Sequence, residues 1–145
     1  MPVDVSTSIQ IQRPRDFVSA YASDPSNAPD WYINIRSVEW RTEPVVRVGS
    51  RVDFVAQFLG RRLAYTYEIT EFSRGELLVM RTSEGPFPME TRYTWTDLPA
   101  DGTLMTLRNR GAPKGFAGIA APFVVSAMRR ANRKDLKLLK ELLEQ

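Results

Sequence analysis

The chain contains no cysteine and no histidine. Without cysteine there is no disulfide, no thiolate nucleophile and no thiolate metal site. The lack of histidine excludes more. It removes the commonest general base, the commonest metal ligand and every Ser-His or Cys-His nucleophile pair. A metal site made of carboxylates alone would need clustered inward acids, so no metal and no cofactor are expected. Long hydrophobic runs are also missing. Gly115 to Met128 is almost wholly apolar, but at about 14 residues it falls short of the roughly 20 that span a bilayer. Pro122 interrupts it as well. Met1-Pro2-Val3-Asp4 opens without the basic and apolar regions of a secretory signal, and a cytoplasmic location is expected. There is no internal repeat, no low-complexity tract and no linker long enough to divide the chain.

What is present is ordinary for a globular protein: 145 residues, 43% hydrophobic and 26% charged. That length makes one domain, residues 1–145, able to bury about 70% of its unfolded surface. The net charge of +3 is unevenly placed. Arg129, Arg130, Arg133, Lys134, Lys137 and Lys140 crowd the C-terminal segment. A charge run on a helix usually solubilises one face. The alternative is peripheral contact with an anionic membrane, made by the apolar Phe116 to Val125 stretch and the basic cluster after it. No aromatic platform interleaves the basic residues, so nucleic acid is not an expected partner.

Val3, Val5, Thr7, Ile9 and Ile11 alternate with polar residues, which predicts a half-buried strand. Pro14 suits a first helical turn, and Phe17, Val18 and Tyr21 give a short helix to about Ala22 one apolar face. Asp24-Pro25 reads as a second helix start that Pro29 limits. Trp31 and Tyr32 then either fill the core and close one sheet end or form a pocket rim. Strands follow at Val38–Thr42, Arg51–Phe58, Arg62–Ile69, Glu76–Ser83, Met89–Thr96 and Leu104–Arg110, separated by Gly60, Gly85-Pro86-Phe87-Pro88 and Asp101-Gly102. Gly111-Ala112-Pro113 ends the series. A helix is expected from about Gly115 to Glu144. Its sheet-facing stripe is read as Phe116, Ala120, Phe123, Val124, Ala127, Ala131, Leu138 and Leu142, widened by Leu136, Leu139 and Leu143.

The order of these elements, together with Asp24-Pro25-Ser26-Asn27-Ala28-Pro29-Asp30-Trp31, Arg36-Ser37-Val38-Glu39-Trp40, Val48-Gly49-Ser50-Arg51 and Gly85-Pro86-Phe87-Pro88, resembles the START-type, birch-pollen-allergen-like superfamily. Within it the chain is most similar to the polyketide cyclase/dehydrase and lipid-transport group. The resemblance implies an α+β helix-grip fold: about seven antiparallel strands curved around a long C-terminal helix, with two short helices after the first strand. It also implies an internal apolar cavity for lipids, polyketides or other aromatic molecules. These motifs mark topology and carry no catalytic signature.

Strand alternation sorts the side chains. Phe54, Phe58, Tyr65, Tyr67, Met80, Met89, Tyr93, Trp95 and Asn109, with Phe123 from the helix, form the expected ligand-binding wall. Asp53, Glu68 and Glu90 fall on wet faces, Glu39, Glu43, Glu71, Glu76 and Glu84 at strand ends or turns, and no carboxylate falls inward. Arg108 and Arg110 should point outwards. The inward tyrosines, Thr82, Thr91, Asn109 and the Trp95 N–H can orient a ligand, or serve the core with hydroxyls bonded to backbone. No catalytic residue is assigned. The function expected is binding or carriage of a small hydrophobic molecule. The alternatives are a cyclase or dehydratase using Tyr65, Tyr67 or Asn109 to polarise a carbonyl, and the membrane-docking module.

Overall fold

This computed structural model describes residues 3–112 and 121–145. The first strand, β1 (Val3–Ile11), leads to α1 (Arg15–Ala22), one 3-10 turn (Pro25–Asn27) and the short α2 (Ala28–Trp31). Six strands follow: β2 (Ile35–Trp40), β3 (Arg51–Phe58), β4 (Arg61–Ser73), β5 (Leu77–Glu84), β6 (Met89–Leu98) and β7 (Gly102–Gly111). The helix α3 (Ala121–Leu143) completes the fold. The expected helix start near Gly115, with Phe116 and Ala120, lies outside the described residues. Among those residues, no helix is long and apolar enough to cross a membrane.

All seven strands form one antiparallel sheet in the order β1-β7-β6-β5-β4-β3-β2. This is the helix-grip arrangement, with α3 against the inner face. Meander connections explain most of the order. The exception is β1, which crosses to pair with β7, so that Val3 opposes Gly111 and Ile11 opposes Thr103.

The element bounds differ from expectation where local hydrogen bonds intervene. Asp24 accepts from the Ser26 N–H at 2.9 Å and starts the 3-10 turn. Pro29 does not limit a helix; it lies in the first turn of α2, where its missing N–H costs nothing. Strand β2 ends at Trp40 because the Thr42 hydroxyl, in the connection, accepts from the Arg51 N–H at 3.1 Å. Glu76 closes a turn onto the Ser73 carbonyl and is left out of β5.

Strand β4 carries a bulge. Ile69 opposes Met80 and Glu71 opposes Val79, leaving Thr70 without an opposite residue. One extra residue reverses which side chains face inward. Leu63, Tyr65, Tyr67 and Ile69 therefore face the helix before the bulge, and Phe72 packs on the core after it.

One end of the inner face is filled. Ile11, Val18, Trp31, Ile69, Leu78, Trp95, Met105 and Leu107 pack with Leu136, Leu139 and Leu143 of α3. At the other end Leu63, Phe87 and Val124 form a smaller cluster with Phe58, Tyr65, Met89 and Met128 around it. Strand β7 can end close against β6 only because residue 111 is glycine: a Cβ there would meet the Pro88 carbonyl and the Met89 sulfur. The outer face is tied by ion pairs. Arg108 reaches Asp4, and Glu90 sits between Arg81 and Arg110 at 2.9 and 2.6 Å. Burial pushes the Glu90 carboxyl up, but the two guanidiniums outweigh this and hold it below its ordinary value. Arg108 and Arg110 thus point outwards as expected.

Candidate functional site

Between the packed end and the smaller cluster lies a cavity of about 170 Å³. Strand β3 supplies Phe54, Ala56 and Phe58, and β4 supplies Leu63, Tyr65 and Tyr67. Met80 comes from β5, Phe87 from the following turn, Met89, Thr91 and Tyr93 from β6, and Asn109 from β7. Tyr32 and Asn34 enter between α2 and β2, and Ile35 from the start of β2. The helix contributes Val124, Met128, Ala131, Asn132 and Asp135. The rings are arranged edge to face: Phe54 on Tyr67 at 5.6 Å and Tyr65 on Phe87 at 5.7 Å between centroids.

The register explains the polar atoms. Met80, Thr91 and Asn109 stand opposite one another across β5, β6 and β7. The Thr91 hydroxyl donates to Asn109 Oδ1 at 2.8 Å, and the Tyr67 phenol lies against the same hydroxyl. Burial pushes the Tyr67 phenol up to about 12. Asn109→Leu is therefore expected to cost about 1–3 kcal/mol, because it removes the acceptor of the buried Thr91 hydroxyl and leaves it only the Tyr67 phenol. Denaturant unfolding measures this, and an unchanged or raised midpoint would show that the amide has no structural part.

The opposite pole is built by α2, β6 and α3. The Tyr32 and Tyr93 hydroxyls bond to each other. Asp135 is only 2% exposed and, among the described residues, accepts one hydrogen bond, from the Ile33 N–H at 2.9 Å. Burial raises its carboxyl from 3.8 to about 7, even though the Ile33 N–H pulls the other way. Burial also raises both phenols, and the charge of Asp135 adds to that shift. Asn132, one helical turn before Asp135, is buried, and its side-chain N–H group has no hydrogen-bond partner among the described residues.

Eight of the ten expected wall residues line the cavity: Phe54, Phe58, Tyr65, Tyr67, Met80, Met89, Tyr93 and Asn109. Trp95 and Phe123 do not. Trp95 lies in the packed end, 2% exposed, beside Tyr93 and Met105. Phe123 is 72% exposed, because one residue along a helix is a turn of about 100° and Val124 takes the inward position. The expectation that no carboxylate faces inward is overturned by Asp135. Its signal was the run Val124, Met128, Ala131, Asn132, Asp135, Leu139, a single stripe at helical spacing with a polar centre. Trp31 fills the core and Tyr32 lines the cavity, so the two readings divide between them. Among the described residues no three acidic side chains come together to hold a metal ion.

The family model described as polyketide cyclase / dehydrase and lipid transport matches residues 2–144. The chain belongs to this family. No curated protein matches it by sequence. Among solved structures, a START superfamily protein from Mycobacterium smegmatis superposes with a TM-score of 0.83 at 17% identity, over 98% of this chain and 97% of the other. The Zhui aromatase/cyclase from Streptomyces sp. R1128 gives 0.80 at 18%, over 99% and 94%. A major latex-like protein from Panax ginseng gives 0.76 at 14%, over 99% of each. At these identities the likeness establishes the fold. The polyketide cyclase/dehydrase and lipid-transport family takes hydrophobic ligands, and cyclases occur within it.

Proposed function

We propose that the chain binds a small, ring-bearing, largely apolar molecule between β3–β7 and α3. The observation that carries this is the composition of the cavity wall. It is mostly aromatic and aliphatic, and its polar groups gather at two poles, Thr91–Asn109 and Tyr32–Tyr93–Asp135. Apolar walls supply affinity, and a few placed polar groups fix orientation. Native mass spectrometry of freshly purified protein, followed by organic extraction, tests the reading. A retained apolar or aromatic adduct supports it. An adduct-free protein that also fails to bind aromatic compounds in titration argues against it.

Asp135 favours a second reading, catalysis of a cyclisation or dehydration. A carboxyl that titrates near neutrality can take a proton from an activated carbon or give one to a departing hydroxyl. The Tyr32 and Tyr93 hydroxyls would polarise the carbonyl, the role expected of Tyr65, Tyr67 or Asn109. The cavity would hold the reacting atoms in place. Incubation with a polyketide-like compound, followed by chromatography and mass spectrometry, separates the readings: carriage returns the compound unchanged, cyclisation returns an isomer of equal mass and altered retention, and dehydration returns a product lighter by one water.

The membrane alternative has less support. Val124, at the apolar end of α3, is buried against the sheet, while its neighbour Phe123 is exposed. Vesicle sedimentation at varied anionic-lipid content tests it; binding that ignores lipid charge counts against it.

A further inference from the structure

We infer that the cavity selects an organic cation, an ammonium-bearing aromatic or apolar molecule whose charge pairs with Asp135 while its body lies among the tyrosine rings. The inference rests on the cavity being a binding site. Two observations point the same way.

First, Asp135 is buried with no counter-charge beside it among the described residues. Its only hydrogen bond among the described residues comes from a backbone N–H, and no described Lys or Arg lines the cavity. A buried carboxylate is costly until a positive group compensates it. Second, the groups beside it are phenols, Tyr32 after α2 and Tyr93 on β6, with Tyr67 of β4 next to them on the cavity wall. The negative face of an aromatic ring attracts a cation and does nothing for an anion. The Asp135 charge also repels anions above neutrality, which disfavours free fatty acids and other carboxylates at this pole. The Asn132 amide, without a hydrogen-bond partner among the described residues, adds a donor beside the carboxylate, suited to a hydroxyl or carbonyl on the same ligand.

The compensating charge also sets a pH dependence. Tyr32, Tyr67 and Tyr93 are all raised above the ordinary phenol range and stay neutral below pH 9. Asp135 is then the group at this pole that ionises, and cation binding strengthens as pH rises through 7.

The test uses the full chain and three compounds of similar size: phenyltrimethylammonium, tert-butylbenzene and benzoate. The first carries a permanent charge, so only the protein titrates. Calorimetric or NMR titration at pH 8 is expected to give the cation at least about tenfold tighter binding than its neutral isostere, with benzoate weakest. Lowering the pH to 5 should erase most of that preference. So should Asp135→Asn, which keeps an acceptor for the Ile33 N–H. Should that variant fold poorly, the wild-type pH series carries the test. A cation preference absent at pH 8, or unchanged at pH 5 or in Asp135→Asn, overturns the inference. If tert-butylbenzene binds and the cation does not, the cavity reading stands and the inference alone fails. If none of the three binds, both fail.

Discussion

Asp135→Asn is expected to stabilise the protein at pH 8 by about 2–4 kcal/mol and to have little effect near pH 4. The folded carboxyl titrates at about 7 against an ordinary 3.8. A raised folded-state value means that the native protein holds its proton while the unfolded chain releases one. Stability is therefore undiminished below about pH 4, declines as pH rises through 7, and carries the full penalty above that. A rise of this size corresponds to about 4 kcal/mol at most. Asparagine removes the ionisation and keeps the acceptor for the Ile33 N–H, while its new amide donor needs a partner, which trims the gain. Denaturant unfolding of both proteins at pH 4, 6 and 8 measures the effect. A difference that is constant with pH would mean that Asp135 is not the buried ionising group.

Trp95→Ala is expected to cost about 3–5 kcal/mol and to leave binding in the cavity intact. The ring is packed between Tyr93 and Met105 in the filled end of the sheet. Its indole N–H has no hydrogen-bond partner among the described residues, so the expected loss is one of packing. The denaturation midpoint should fall with an unchanged slope. A loss under about 1 kcal/mol, with weakened binding of aromatic compounds, would place the ring on the ligand wall after all.

Strand alternation made most of the fold and cavity wall legible, because period two assigns each residue to a face. It does not assign height along the strand. Trp95 faces inward as expected, yet it stands beyond Tyr93 in the region that α1 and the last turns of α3 fill. Thr70 could not be recognised as a bulge, since an extra residue shows itself only against its partner strand. The helix was harder to read, because its phase turns through about 100° with each residue. A stripe that takes in Phe123 beside Val124 and follows only the apolar side chains on to Leu138 and Leu142 passes over the two polar residues, Asn132 and Asp135, that distinguish this cavity. Asp135 also sits among Arg133, Lys134 and Lys137, where an acid reads as one half of a surface ion pair.

The crossover of β1 to β7 has a kinetic consequence. Ser8 and Thr106 share a hydrogen bond although 98 residues separate them. The meander from β2 to β7 can zip through neighbouring hairpins, each closing a short loop. The first strand made must wait until the last strand and α3 exist, and closing so long a loop costs entropy before any contact repays it. Rapid hairpin assembly followed by slow docking of β1 is the expected order of events. The inner face stays uncovered until that final step, so a ligand present during folding would meet an open trough rather than an enclosed chamber.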